Sequence, residues 1–293
     1  VMGTSNAPEG GIWMETYNLL HGRTHNPWNL SRTCGGSSGG EGALVAAGGS
    51  VFGIGSDLGG SIRIPAAFCG VVAHKPSSCR VPGTGHFPDD VGDVTPYMGF
   101  GPLARKVSDL RQILSVIEGP DGEDSYCRPM PALTSMTEDL KGIRVIPLED
   151  NGATRISAVM RQSIQASARA LEARGARIET RKFPKMSKAA DIWSAMIQKS
   201  SAHGYDHVLN QGQPISLLSN LLMLPFGRSN HSFAALVMVA MERLLPFFPL
   251  DTLVEEGKQL QQELWEALGT DGVILHPPYS RPAPYHREPW LTP

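Results

Sequence analysis

The chain has 293 residues, with 26 Lys+Arg against 28 Asp+Glu for a formal net charge of −2, and 41% hydrophobic against 18% charged residues. A near-neutral balance with no Lys/Arg run longer than two excludes an electrostatic nucleic-acid binder, which needs clustered positive charge to displace counterions. The apolar content is enough for a sizeable core and excludes a disordered chain.

Before Gly35 the sequence is polar and turn-rich, and His25-Asn26-Pro27-Trp28 reads as a loop. Small residues dominate from Gly39 to Gly48, which suits a helix packed closely on all sides. Val51 to Gly55 reads as a short, fully buried strand. A short helix over Ile62 to Cys69 leads to Val71-Val72 and a turn at Pro76-Ser77-Ser78. Lys106 to Ile117 sets Val107, Leu110, Ile113, Leu114 and Ile117 on one face of an amphipathic helix. Gly119-Pro120-Asp121-Gly122 ends it. A strand over Gly142 to Pro147, a helix over Ser157 to Arg174, a strand over Arg177 to Thr180, a helix over Asp251 to Leu268 and a strand over Gly272 to Leu275 follow. This alternation predicts an α/β fold with a mixed or parallel sheet covered by helices on both faces. With no internal repeat or low-complexity linker, residues 1–293 are expected to form a single domain.

One stretch departs from the pattern. Ser216 to Gly227 and Phe233 to Met241 are uncharged and apolar, and Leu244-Leu245-Pro246-Phe247-Phe248-Pro249-Leu250 follows. Each is shorter than the roughly 18 residues of a spanning helix. Two readings stand: buried core helices, or an apolar cap over 216–250 that faces a lipid-like substrate or a membrane surface. The four cysteines, Cys34, Cys69, Cys79 and Cys127, form no C-x-x-C pair and are expected as reduced thiols. The chain opens on Val1-Met2-Gly3-Thr4 without a leader-like segment and ends in Pro-Trp-Leu-Thr-Pro without a closing element, so it reads as a fragment.

Eleven of the 32 glycines fall between Gly35 and Gly60. Such an excess means backbone passing close to something, or turns that need positive φ. Gly35-Gly36-Ser37-Ser38-Gly39-Gly40 and Gly53-Ile54-Gly55-Ser56-Asp57-Leu58-Gly59-Gly60-Ser61 each set serine among glycines beside a predicted helix start. A hydroxyl there is flanked by main-chain N–H groups, the setting an oxyanion needs. A dinucleotide fingerprint fails because Leu58 stands where G-x-G-x-x-G needs glycine, and a P-loop fails at Gly257-Lys258-Gln259. Gly36 to Gly40 matches G-x-S-x-G, which would make Ser38 the nucleophile of an esterase or lipase, but the preceding Asn29 to Cys34 is polar where the elbow needs an apolar strand. His203 and His207 are spaced i, i+4, but Gly204 replaces the glutamate of H-E-x-x-H and a third ligand is not evident, so they read as ordinary polar histidines. No metal and no cofactor is expected.

The two serine loops, with Gly-Gly-Ser-Ile-Arg-Ile-Pro from Gly59 and His74-Lys75-Pro76-Ser77, resemble the amidase signature enzymes, and within them the fatty-acid amide hydrolase 2-like branch. The match is dense over about residues 1 to 110. The resemblance implies Ser61 as the nucleophile that forms an acyl-enzyme and Ser37, preceded by a cis peptide, as the bridging serine. It further implies an oxyanion hole from the N–H groups of Leu58, Gly59, Gly60 and Ser61. Ser38, Asp57 and Arg63 would support the site, the last two as an ion pair. A neutral lysine is the base in that family, about 75 residues before the bridging serine. No lysine precedes Lys75, which falls where the family has a structural turn, so this fragment alone is expected to be inactive or nearly so. The substrate expected is a small-molecule amide, lipid-like in character. Peripheral membrane contact through 216–250, a homodimer and an intracellular setting are also expected. The competing class is a non-catalytic, amidase-derived binding module.

Overall fold

The computed structural model describes residues 2–88, 92–131, 139–201, 203–244 and 249–288. In chain order the strands and helices are β1 (Tyr17–Asn18), β2 (Gly22–Arg23), β3 (His25–Asn26), β4 (Asn29–Thr33), α1 (Gly39–Ala46), β5 (Phe52–Asp57), α2 (Arg63–Cys69), β6 (Val72–Ala73), β7 (Gly99–Ala104) and α3 (Val107–Ile117). There follow β8 (Arg144–Pro147), α4 (Ala158–Glu172), β9 (Arg177–Ile178), α5 (Ala189–Ser200), α6 (Tyr205–Leu209), α7 (Leu217–Met223), α8 (Phe233–Leu244), α9 (Leu250–Leu268) and β10 (Gly272–Leu275). The α/β character expected from the alternation holds.

The described residues fall into two compact units, one within 1–133, 200–244 and 283–293, the other within 134–199 and 245–282. In the first, β5-β7-β6 form an antiparallel sheet. Its centre is β7, whose Leu103 and Ala104 are fully buried. The expectation of a fully buried strand at 51–55 is corrected here. β5 is an edge strand, and by the two-residue alternation of side chains it leaves Phe52 and Ile54 more than 40% exposed while Gly53 and Asp57 are buried. The polar N-terminal stretch is also more ordered than its composition suggests. Pro27-Trp28 is the turn between the paired strands β3 and β4, and Glu15 and Thr16 are buried.

In the second unit the parallel order β10-β8-β9 surrounds the buried Val145 and Ile146. Ile146 joins Phe183, Ile192, Leu260 and Ala267 in one apolar cluster, so α5 and α9 contribute their apolar stripes to this core. Ser157 caps α4, its hydroxyl accepting from the Met160 N–H.

The two apolar segments differ in burial. In α8, Ala234, Ala235, Leu236 and Val239 are buried, and the last two pack with Tyr205 and Ile215. In α7 nothing is buried, and Leu218, Leu222 and the nearby Phe226 are exposed. Leu245 to Phe248 lie outside the described residues. Among the described residues no helix is long and apolar enough to cross a membrane.

Cys34 and Cys69 are fully buried neighbours, and burial pushes the Cys34 thiol up to about 12. Cys69 is raised by the same cause, whereas Cys79 is partly exposed. Iodoacetamide at pH 8 is therefore expected to alkylate Cys79 in the native protein, with Cys34 and Cys69 reacting only after unfolding. Peptide mapping that finds Cys34 modified first would contradict this.

Candidate active site

The double-serine loop runs from the end of β4 into α1 and is held by a residue the sequence did not single out. Thr16 donates its hydroxyl to the Gly35 carbonyl at 2.8 Å, accepts from the Gly39 N–H at 3.1 Å, and donates its own N–H to Gly35 O at 3.1 Å. The Gly36–Ser37 peptide is cis, as the resemblance implies. The glycines mark close approach: a β-carbon on Gly36 would stand 2.3 Å from the Trp13 carbonyl oxygen, and one on Gly40 2.3 Å from that of Asn6. Backbone cannot yield as a side-chain tip can. Gly36→Ala is expected to cost about 2 kcal/mol or more, in the range of overpacked interiors. Urea unfolding with an unchanged midpoint would show that the loop has slack.

The second loop is the turn from β5 into α2. Its organiser is Asp57, fully buried at the end of β5. One carboxylate oxygen accepts from the Gly60 N–H at 2.7 Å and from Arg63 Nη2 at 2.8 Å; the other accepts from the Ile62 N–H at 3.1 Å and Arg63 Nε at 2.9 Å. Burial pushes the Asp57 carboxyl up, but the hydrogen bonds and charge of Arg63, with the N–H groups of Gly60 and Ile62, outweigh it and leave the group below its ordinary value. A planar guanidinium on two carboxylate oxygens is a fixed brace as well as a charge pair. Gly60 needs its φ of +119°, which side chains rarely adopt.

The two loops meet: the Ser38 N–H donates to the Ser61 carbonyl at 3.0 Å. Ser38 also packs on β5, where a β-carbon on Gly55 would lie 2.5 Å from its hydroxyl oxygen. Ser37 is buried and Ser61 half-buried. Of the four main-chain donors expected for an oxyanion, Gly60 is committed to Asp57. Among the described residues the N–H groups of Gly59 and Ser61 have no acceptor. Lys75 lies across β7 where Gly99 leaves room, its Nζ 3.1 Å from where a β-carbon would sit. Gly99 pairs with Asp57, so the ammonium stands on the Asp57 face of the sheet. Burial lowers its pKa, the Asp57 charge raises it and the Arg63 charge lowers it again, for a net depression. The sequence places Lys75 only in a turn. His203 and His207 stack at 4.1 Å, away from these loops in sequence, and among the described residues no cluster of three or more His, Cys, Asp or Glu is placed to hold a metal ion.

Two serine-bearing glycine turns joined through their main chains, one of them braced by a buried carboxylate, define a serine–glycine site on an α/β scaffold. The chain belongs to the amidase family, whose model matches residues 1–287. It is 35% identical to fatty-acid amide hydrolase 2-B of Danio rerio over 302 residues, covering 100% of this chain and 56% of that protein. It is 38% identical to fatty-acid amide hydrolase 1 of Sus scrofa over 173 residues, 58% of this chain and 30% of that protein. A solved fatty acid amide hydrolase structure superposes with a TM-score of 0.67 at 27% identity, over 96% of this chain and 48% of the other. The chain thus spans about half the length of the curated relatives it matches from end to end.

Proposed function

We propose that this protein hydrolyses carboxylic amide bonds through an acyl-enzyme on Ser61. The observation that carries the reading is the Ser38 N–H to Ser61 carbonyl hydrogen bond, which brings the double-serine loop to the nucleophile turn. The Ser61 hydroxyl adds to the substrate carbonyl. Its proton passes to Ser37 and from there to a neutral lysine, the base the resemblance implies, and returns to the leaving amine. The carbonyl oxygen, negative in the tetrahedral intermediate, faces the Gly59 and Ser61 N–H groups. Asp57 and Arg63 keep the turn in that shape without touching substrate.

The substrate we propose is a fatty-acid amide. Two observations support it: likeness to fatty-acid amide hydrolase 2-B along the whole chain, and the exposed Leu218, Leu222 and Phe226 in and beside α7, a surface suited to an acyl chain or a lipid interface. Peripheral membrane contact through 216–250 belongs to the same proposal.

A fluorophosphonate probe followed by peptide mapping tests the chemistry. The label is expected on Ser61. Label on Ser38 would establish the esterase-type alternative, and a folded full-length protein that takes no label would be a binding module.

A further inference from the structure

Successive side chains leave opposite faces of a strand, so the end of β5 presents Asp57 to one side and Ser56 to the other. Asp57 holds the nucleophile turn. Ser56 meets His86, a residue outside every motif of the sequence, with its hydroxyl oxygen 3.0 Å from Nε2. The other ring nitrogen, Nδ1, lies 3.3 Å from the Pro88 carbonyl oxygen. A carbonyl only accepts, so Nδ1 carries the proton, Nε2 is the acceptor, and Ser56 donates its hydroxyl to the imidazole. Burial lowers the pKa of His86, in keeping with a neutral ring.

The imidazole holds the neighbouring strand as well. It stands edge-on to Phe100, ring centroids 5.0 Å apart at 63°. Phe100 is the β7 residue paired with Ser56. The His86 N–H closes a turn onto the Gly83 carbonyl at 2.9 Å, and a β-carbon on Gly83 would stand 2.9 Å from the Phe100 ring. His86 therefore grips both members of one cross-strand pair. From Ser56 the contacts continue to the proposed catalytic loops. The Ser56 carbonyl lies 3.5 Å from the Ser38 hydroxyl, and the Ser38 N–H is bonded to Ser61 O.

We propose that His86 is a positioning residue for hydrolysis at Ser61: by accepting from Ser56 it fixes the end of β5 on which Ser38, and through it the Ser61 turn, is seated. The inference rests on the amide-hydrolase reading above. In this role the imidazole touches no reacting atom, so its loss disturbs alignment rather than substrate binding.

The test uses the full-length protein and decanoyl p-nitroanilide as substrate. His86→Phe keeps a flat ring and loses the acceptor. It is expected to lower kcat about tenfold, as sub-ångström misplacement of reacting groups does, with KM within about twofold of wild type. His86→Gln offers an amide oxygen to Ser56 and is expected to retain kcat within about threefold. Ser56→Ala removes the donor, leaves the imidazole, and is expected to match His86→Phe; it decides the matter should His86→Phe not fold. A His86→Phe or Ser56→Ala kcat within threefold of wild type overturns the proposal, as does an equal loss in His86→Gln or a loss carried by KM. Ser61→Ala is the separate control: turnover that survives it sinks the hydrolase reading whatever His86 does.

Discussion

Replacing Ser61 with alanine in the full-length protein is expected to lower kcat for a fatty-acid amide by about 10⁵-fold or more, the scale seen when a covalent nucleophile is removed. The turn gives the physical reason. Positions 59 and 61 keep their N–H groups, and Asp57 still anchors Gly60, Ile62 and Arg63, so the proposed oxyanion donors and substrate binding are expected to survive. Only the hydroxyl oxygen proposed to form the acyl bond is gone, and KM is expected to stay within a few-fold. Ser37→Ala acts differently. On the proposed assignment it removes the proton relay and leaves the nucleophile, so a loss of about 10²- to 10⁴-fold is expected, the usual span for general acid–base groups. Single-turnover kinetics on a p-nitroanilide read both. If Ser61→Ala kept more than a hundredth of wild-type turnover, or if Ser37→Ala were the deader of the two, the assignment of nucleophile and bridge would be wrong.

Much of this site was legible because glycine is a physical signal. The two runs at 35–40 and 53–60 announce backbone at close quarters, and the structure supplies the neighbours: the carbonyls of Trp13 and Asn6 against Gly36 and Gly40, and the Ser38 side chain against Gly55. What the runs do not announce is who those neighbours are. Thr16 and Glu15 sit in a polar stretch with no period, and their burial comes from tertiary packing that no local pattern encodes. The edge position of β5 is hidden for a related reason. A short apolar run reads the same in a central strand and an edge strand, and only the order β5-β7-β6 separates them. His86 carries no signal in the sequence, because its contacts are to a cross-strand pair, Ser56 and Phe100, that are 44 residues apart. The long helices α3, α4 and α9 are legible because their apolar stripes repeat over several turns.

Asp57 carries the largest expected effect on stability. Its carboxylate is fully buried and accepts from three main-chain N–H groups, those of Gly60, Ile62 and Arg63, and from the Nε and Nη2 of the Arg63 guanidinium. Asp57→Asn preserves the shape but removes the charge, and turns one acceptor oxygen into an NH₂ facing donors. Breaking a buried pair from one side typically costs about 3–5 kcal/mol. Arg63 is 51% exposed and regains water when its partner is lost, which places the expectation near the lower end, about 3 kcal/mol. The pH dependence follows from the direction of the shift. The folded carboxyl lies below its ordinary value of 3.8, so its stabilisation is present above that pH and is lost as pH falls through the folded value. Urea unfolding of wild type and Asp57→Asn should therefore differ most at neutral pH and converge in acid, where protonation makes the wild-type side chain neutral as well. A constant gap from pH 7 down to pH 2 would mean that packing, not charge, makes Asp57 the anchor of the turn. No gap at neutral pH would mean that the Ser61 loop holds its shape without it.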